Sequence, residues 1–308
     1  MIRYLILNMF AGLVLFMTGC GSLVQDVPDA KVPQESEKPV VISFISPQDS
    51  LLAVSVQLTR TVLGTYQSGT IVSNAVVTIA DGNRFIALPY VQGSNGIYAA
   101  PARNFPLQAG KTYTLSVKMP SRQELSSSAT IPENTPIQSV VIDSAVAVYN
   151  GSQPVYRYTA QLKWKDVAGQ ADYYRIRGDQ VITRVVTGPN TQTQTASYVT
   201  AVLFDNRPNR YLITDLNQDG QLLTSAKGLY VRFAENTTGQ PVGPANTVNL
   251  YLLHTDKLYY DYHNALKNYS ESDGNPFAEP VLLPNNIQGG GLGCFAAFNQ
   301  SVVRFTPK

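Results

Sequence analysis

From Pro39 onward the chain is written in short runs of β-branched and aromatic residues broken by turn residues, a pattern that leaves little room for anything but antiparallel β-structure. Leu52-Ala53-Val54-Ser55-Val56-Gln57-Leu58-Thr59 alternates apolar and polar residues, as a strand with one face in a core and one in water must. Ala75-Val76-Val77-Thr78-Ile79 runs into Asp81-Gly82, a hairpin signal, and Thr112-Tyr113-Thr114-Leu115-Ser116-Val117 is entered through Gly110-Lys111. Such closely spaced strands predict an immunoglobulin- or fibronectin-like antiparallel sandwich over residues 39–133, with Glu133-Asn134-Thr135-Pro136 as the boundary that follows it. Residues 140–142, 156–164, 173–177, 198–204, 230–233 and 248–253 predict further strands, hence a second β-rich domain over 134–308. Within it Arg175 and Arg177 alternate with Tyr174 and Ile176, which puts both charges on one face, expected to meet water. One segment departs from the pattern. Over 255–269 the residues Leu258, Tyr259, Tyr262, Ala265, Leu266 and Tyr269 recur at helical spacing behind Thr255 as N-cap, predicting one amphipathic helix whose tyrosines pack on a sheet. The fold class expected is mainly β.

The first residues follow different rules. Arg3 is followed by an apolar run over 5–17, interrupted only by Asn8, and then by Met17-Thr18-Gly19-Cys20. A positive start, a run too short for the ~20 residues of a membrane-spanning helix, and small residues at a cut site describe a signal peptide over 1–19. The cysteine at the cut matches a bacterial lipobox, in which Cys20 takes a diacylglyceryl group and an N-terminal fatty acid such as palmitate; two or three acyl chains anchor a protein stably. Residues 20–38 carry Asp26, Asp29, Glu35 and Glu37 with no apolar periodicity, the composition of a disordered tether. Gly21, where some inner-membrane retention signals carry Asp, leans towards the outer membrane. The sequence holds two cysteines, so lipidation of Cys20 leaves Cys294 without a partner and excludes a disulfide framework. Charged residues make up 14% of the chain against a typical ~25%, the place being taken by Ser, Thr, Asn, Gln and 18 tyrosines, as suits an extracytoplasmic β-protein. A net charge of +2 gives no reason to expect nucleic acid as a partner.

Three patterns bear on chemistry. Asp215-Leu216-Asn217-Gln218-Asp219-Gly220 matches the first half of a calcium loop, with Asp215, Asn217 and Asp219 as ligands, but Leu223 and Ala226 stand where the later ligands belong. The reading that fits the whole stretch is a hairpin turn at Asp219-Gly220; calcium binding there would need a carboxylate from elsewhere in the chain. No other cofactor is expected. His254 and His263 are nine positions apart on or beside the helix, off a common face, and no zinc spacing or nucleophile-elbow motif accompanies them, so no catalytic residue is assigned. Asp49-Ser50-Leu51 and Asp143-Ser144-Ala145 match the Asp-Ser/Thr-apolar signal for O-glycosylation, with Ser50, in a predicted loop, the better candidate.

The C-terminal stretch is the most distinctive. It reads Gly274-Asn275-Pro276-Phe277-Ala278-Glu279-Pro280, then Asn285-Asn286-Ile287, then Gly289-Gly290-Gly291-Leu292-Gly293-Cys294-Phe295. Asn275-Pro276 and Glu279-Pro280 impose extended backbone on both sides of Phe277, leaving it free to plug a hydrophobic socket. Gly289, Gly290, Gly291 and Gly293 allow positive φ or a close backbone approach before the last strand. A phosphate loop would need a following helix and a lysine, which are missing. Together with the lipobox, the Gly110–Val117 strand and the helix, this stretch resembles a Bacteroidota lipoprotein family of unknown function, ending in the same NPFAEP…GLG pattern and often encoded beside TonB-dependent outer-membrane receptors. The resemblance implies a lipid-anchored place at the cell outer membrane and a receptor partner, and no reaction. Cys294 departs from the aliphatic residue of the pattern, which suggests a small buried apolar site.

Two functions fit these observations. The first is a non-catalytic binding or accessory lipoprotein working with a TonB-dependent receptor in nutrient uptake, offering loops or a sheet edge to receptor, peptide or glycan. The second is an extracytoplasmic hydrolase acting on peptide or polysaccharide with paired carboxylates.

Overall fold

The computed structural model describes residues 37–59, 71–150, 153–187, 193–205, 207–208, 211–233, 245–272, 275 and 277–307. The signal segment, Cys20 and nearly all of the tether lie outside them, as do Gly274 and Pro276. The chain is mainly β. Seven strands, β1 (Pro39–Ile45), β2 (Leu51–Leu58), β3 (Val76–Ala80), β4 (Phe85–Leu88), β5 (Ile97–Pro101), β6 (Thr112–Lys118) and β7 (Glu124–Thr130), build the first part. They divide into β1-β2-β5 and β4-β3-β6-β7, the strand order of a fibronectin type III sandwich. Alternation in β2 does what the sequence requires: Leu52, Val54 and Val56 are buried while Leu51, Ala53 and Ser55 are not.

Ten more strands, β8 (Ile137–Asn150), β9 (Gln153–Lys165), β10 (Tyr173–Thr187), β11 (Thr193–Ala201), β12 (Leu203–Phe204), β13 (Arg207–Pro208), β14 (Tyr211–Thr214), β15 (Leu222–Thr224), β16 (Gly228–Phe233) and β17 (Ala245–Thr255), precede the helix α1 (Lys257–Ser272) and the last strand, β18 (Leu292–Phe305). Strands β13-β12-β16-β9-β15, with β8 on β9, form one sheet. The remaining strands join the first part. A continuous sheet runs β11-β10-β17-β18-β1-β2-β5, with β14 on β10, so the expected boundary at residues 133 and 134 is crossed by hydrogen-bonded sheet.

Strand β18 makes that join. Its first half pairs in parallel with β1, from Val40↔Leu292 to Ile45↔Ala297. Its second half pairs antiparallel with β17, from Thr255↔Phe298 to Val248↔Phe305. Side chains alternate accordingly. Phe295 and Ala297 enter the first core with Val41, Ile45 and Tyr113. Phe305 packs against the second core, formed by Leu162, Trp164, Tyr174, Phe204 and Leu250. On the opposite face Cys294, Ala296 and Phe298 meet Tyr259 and Tyr262 of the helix. Between the two cores the same strand carries Asn299, buried and hydrogen-bonded to the chain that links them: its Nδ2 donates to the Pro132 carbonyl at 3.0 Å, and its Oδ1 accepts from Gln48 at 2.9 Å and Asn134 at 3.2 Å.

Helix α1 starts two residues later than the apolar spacing suggests and is capped by Asp256, not Thr255. Thr255 is still paired in β17, whereas Asp256 Oδ1 accepts the Tyr259 amide at 2.7 Å and Oδ2 the Ala297 amide at 2.7 Å, tying the helix start to β18. The tyrosine stripe is buried at Tyr259 and Tyr262, but Tyr269 is exposed where the helix outruns the sheet. Arg175 and Arg177 do share a face, yet the helix covers part of it. Arg177 meets water, while the Arg175 guanidinium donates to the Tyr259 hydroxyl at 2.8 Å, so the expectation that both face solvent fails for Arg175.

Gly293, near the start of β18, is required by close approach. Gly293 has φ +123°, and a Cβ there would lie 1.9 Å from the Val41 carbonyl oxygen of the paired strand. Gly82, in the Asp81–Arg84 turn, has φ +90°, and a Cβ there would find nothing within 4 Å. Gly293→Ala is therefore expected to cost at least ~3 kcal/mol, because a backbone clash adds to the left-handed strain, and Gly82→Ala only ~1 kcal/mol. Urea denaturation of both variants checks this; equal losses would show that the β1–β18 contact is not as tight as described.

Candidate functional site

The densest grouping of ionisable side chains lies where two connections cross between sheets. Strand β9 belongs to one sheet and β10 to the other, and Asp166 and Asp172 stand at the two ends of the link between them. Strand β14 pairs with β10 and β15 with β9, so the link 215–221 crosses back alongside. The 215–220 segment is thus not the expected hairpin turn, because its flanking strands belong to different sheets and never pair with each other.

The two crossovers are laced together by their backbones. The Asp166 amide donates to the Gln221 carbonyl at 3.0 Å, the Asp215 amide to the Asp172 carbonyl at 3.3 Å, and the Gly169 amide to Asp219 Oδ1 at 2.8 Å. Left-handed residues make the turns, Gly169 at φ +92° and Asn217 at φ +65°. This geometry corrects the calcium-loop reading of the sequence. Asn217 and Asp219 are exposed, and of the three proposed ligands only Asp215 turns inward.

There it meets partners that no linear motif announces. Carboxylate oxygens of Asp166, Asp172 and Asp215 lie within 4.8 Å of one another, and all three residues are buried. Asp166 accepts from the Tyr174 hydroxyl at 2.7 Å and the Gly220 amide at 2.8 Å. Asp172 Oδ1 accepts from Gln170 Nε2 at 2.7 Å and from His254 Nε2 at 3.0 Å. Burial pushes the Asp172 carboxyl above its ordinary value, with His254 and Gln170 pulling the other way and Asp166 adding to the rise. Burial, followed by the Asp166 carboxylate, also pushes the Tyr174 hydroxyl up. Carboxylates within 4.8 Å of one another repel by at least ~3 kcal/mol at an effective dielectric constant of ~20, so three ionised together need a counter-charge.

His254 joins the cluster to the link between the two cores. Its Nδ1 lies 2.9 Å from the Glu133 carbonyl and 3.1 Å from the Thr135 hydroxyl, and its Nε2 3.0 Å from Asp172 Oδ1. The connectivity Thr135–His254–Asp172 is that of a hydrolytic triad, but all three residues are buried, and the Glu133 carbonyl occupies the nitrogen a nucleophile would use. The sequence offered no sign of this grouping beyond isolated Asp and His residues, because its members converge from four separate segments.

The other predicted residues lie elsewhere. Ser50 is exposed ahead of β2, its carbonyl accepting the Ala102 amide at 3.0 Å. Cys294 is fully buried beneath the helix with its thiol pushed up to about 12 by that burial, in keeping with a small apolar site. The C-terminal motif splits in two. Its later part is fixed: Asn286 donates to the Phe295 carbonyl at 2.8 Å and accepts the Phe295 amide at 3.0 Å, Ile287 is buried in the first core, and a Cβ on Gly291 would press on Ile287 and Leu125. Its earlier part stands out. Asn275, Glu279 and Pro280 are exposed, and Phe277 is 92% exposed, so the socket expected for that ring is not formed among the described residues.

His263 sits under the helix, stacked on Tyr259 at 4.1 Å, with its Nδ1 donating to the Tyr259 carbonyl at 2.9 Å. Burial first, and the Arg175 charge second, push its pKa down to about 3. A depressed histidine favours the folded state at pH above its ordinary 6.5, and that contribution is lost as pH falls from about 6.5 towards about 3. His263→Phe keeps an aromatic ring and removes the titration. Its stability relative to the parent chain should rise as pH falls through that window, by no more than ~1.4 kcal/mol per pH unit. Parallel denaturation curves at both ends of the window check this; a constant difference would contradict it.

Comparisons with other proteins add a family and little else. No curated protein matches the sequence. Among solved structures, the FN1–FN3 domains of chicken CNTN1 match at 10% identity and a TM-score of 0.25, covering 72% of this chain and 61% of that one. The C-terminal globular domain of an oligosaccharyltransferase from Pyrococcus abyssi matches at 10% identity and a TM-score of 0.15, covering 84% and 43%. The chain therefore spans about three-fifths of the first and less than half of the second, and neither score carries weight. The family model for the domain of unknown function DUF4249 matches residues 25–304, most of the sequence, and the chain belongs to that family.

Proposed function

We propose that this chain is a lipid-anchored extracytoplasmic accessory protein, non-catalytic, which works beside a TonB-dependent receptor of the outer membrane in nutrient uptake. The observation that carries the reading is the divided C-terminal motif. Asn285 to Gly293 are pinned into the sandwich by paired hydrogen bonds and glycine close packing, while Phe277 and Leu282, at 92% and 88% exposure, are held out in water. A large exposed aromatic next to an exposed leucine is what a docking loop presents, since such side chains gain most when a partner covers them. The lipobox at Cys20 and the acidic tether after it support a place at the membrane. The NPFAEP…GLG resemblance to Bacteroidota lipoproteins supports the receptor as partner, with a peptide or glycan as its cargo. Surface exposure of Ser50 suits the O-glycosylation signal around it.

The alternative, an extracytoplasmic hydrolase with paired carboxylates, draws on Asp166 and Asp172 and on the Thr135–His254–Asp172 connectivity. Burial of all four residues speaks against it.

A photo-crosslinking residue placed at Phe277 in cells, with outer membranes isolated afterwards, tests the accessory role. Crosslinking to a TonB-dependent receptor is expected, and Cys20→Ala should release the protein from the membrane fraction. Membrane-bound protein that yields no receptor crosslink from Phe277 or Leu282 would overturn the proposed partnership.

A further inference from the structure

We propose that Asp166, Asp172 and Asp215 together hold one divalent metal cation, calcium by the chemistry of the donors, as a clamp between the two crossover links. Two observations meet here. First, the mutual spacing suits a single ion: oxygens on opposite sides of a calcium, at ~2.4 Å each, lie ~4.8 Å apart, and the three carboxylates are within 4.8 Å of one another. Second, Asp215 has no other employment. Only 7% of it is exposed, its carboxylate lies with the other two, and among the described residues that carboxylate accepts no hydrogen bond and forms no ion pair. A buried carboxylate without a partner is costly enough that a protein rarely keeps one, and a bound cation removes the cost. Lys165 does not compete, since its ammonium donates to the Gly220 carbonyl.

The donor set is all oxygen, which favours hard cations over zinc or copper. His254 is not a ligand in this arrangement. It orients Asp172 from behind through Nε2, a role in which histidine and carboxylate exchange their usual places. Water would complete the coordination sphere. The ion would join the β9–β10 link, the β14–β15 link and, through His254, the Glu133–Thr135 chain, so its effect is on the rigidity of the end of the second sandwich that abuts the first.

The full chain, purified in detergent and stripped with a chelator, is titrated with terbium and then with calcium. Tyr174 donates to Asp166 and packs on Trp164, the only tryptophan in the sequence, at 5.4 Å, so a lanthanide among the three carboxylates should be sensitised by these rings. Sensitised emission saturating at one equivalent, displaced by calcium, is expected, together with a rise in melting temperature of about 5 °C in excess calcium over chelator. Asp215→Asn deletes no hydrogen bond within the described chain and should weaken calcium binding at least ~100-fold while leaving the chelated melting temperature unchanged or higher. Asp219→Asn, in the exposed part of the same loop, should bind as the parent does. Absence of one-equivalent emission and of any calcium-dependent melting shift in the parent chain would overturn the proposal. So would unchanged affinity in Asp215→Asn, or a loss confined to Asp219→Asn, which would restore the linear-loop reading.

Discussion

Everything in this fold hangs on the two-sided hydrogen bonding of the last strand. Strand β18 pairs with β1 over its first half and with β17 over its second, and so turns two sandwiches into one sheet with two cores on its inner face and a helix on its outer face. That geometry dictates its composition. Where it runs beside β1 it needs residues small enough to let backbone and helix approach, and it has Gly293, Cys294, Ala296 and Ala297. Where it passes the gap between the cores it must satisfy the crossing chain, and it has Asn299 and Ser301, the latter donating to the Thr135 carbonyl at 2.7 Å. The pairing also closes a loop of nearly the entire described chain, so formation of this joint is entropically demanding and belongs late in folding.

Much of the local structure was legible because it is local. Alternation in β2, the Asp81-Gly82 turn and the helical spacing of Leu258, Tyr259 and Tyr262 each need only a few adjacent residues, and each is found. The sandwich order β1-β2-β5 against β4-β3-β6-β7 is built from three hairpins, β1-β2, β3-β4 and β6-β7, joined by three changes of sheet. What stayed hidden is set by contacts distant in sequence. The parallel pairing of Val41 with Gly293 leaves no trace in either neighbourhood except the glycine itself. The 215–220 segment has the residues of a turn, but the strands it joins were free to enter different sheets, and strand spacing says nothing of that choice. Asp166, Asp172 and His254 gave no signal for the same reason, since their chemistry exists only when separate segments converge.

Function divides in the same way, between buried joint and displayed loop. Inward, the polar belt of Asn299, His254 and the three aspartates fixes the link between the sandwiches and is sealed from substrates. Outward, the same stretch of chain that enters β18 first presents Phe277 and Leu282 to solvent. A rigid body with a displayed apolar loop, together with the proposed lipid tether, would suit the proposed accessory role at a membrane, and the proposed cation in the aspartate cluster would serve that rigidity.

If β18 makes the two sandwiches one cooperative unit, they must unfold together. Differential scanning calorimetry of the full chain in detergent measures this directly. A single transition, with calorimetric and van't Hoff enthalpies equal, is the predicted result. Two resolved transitions, one for each sandwich, would contradict it.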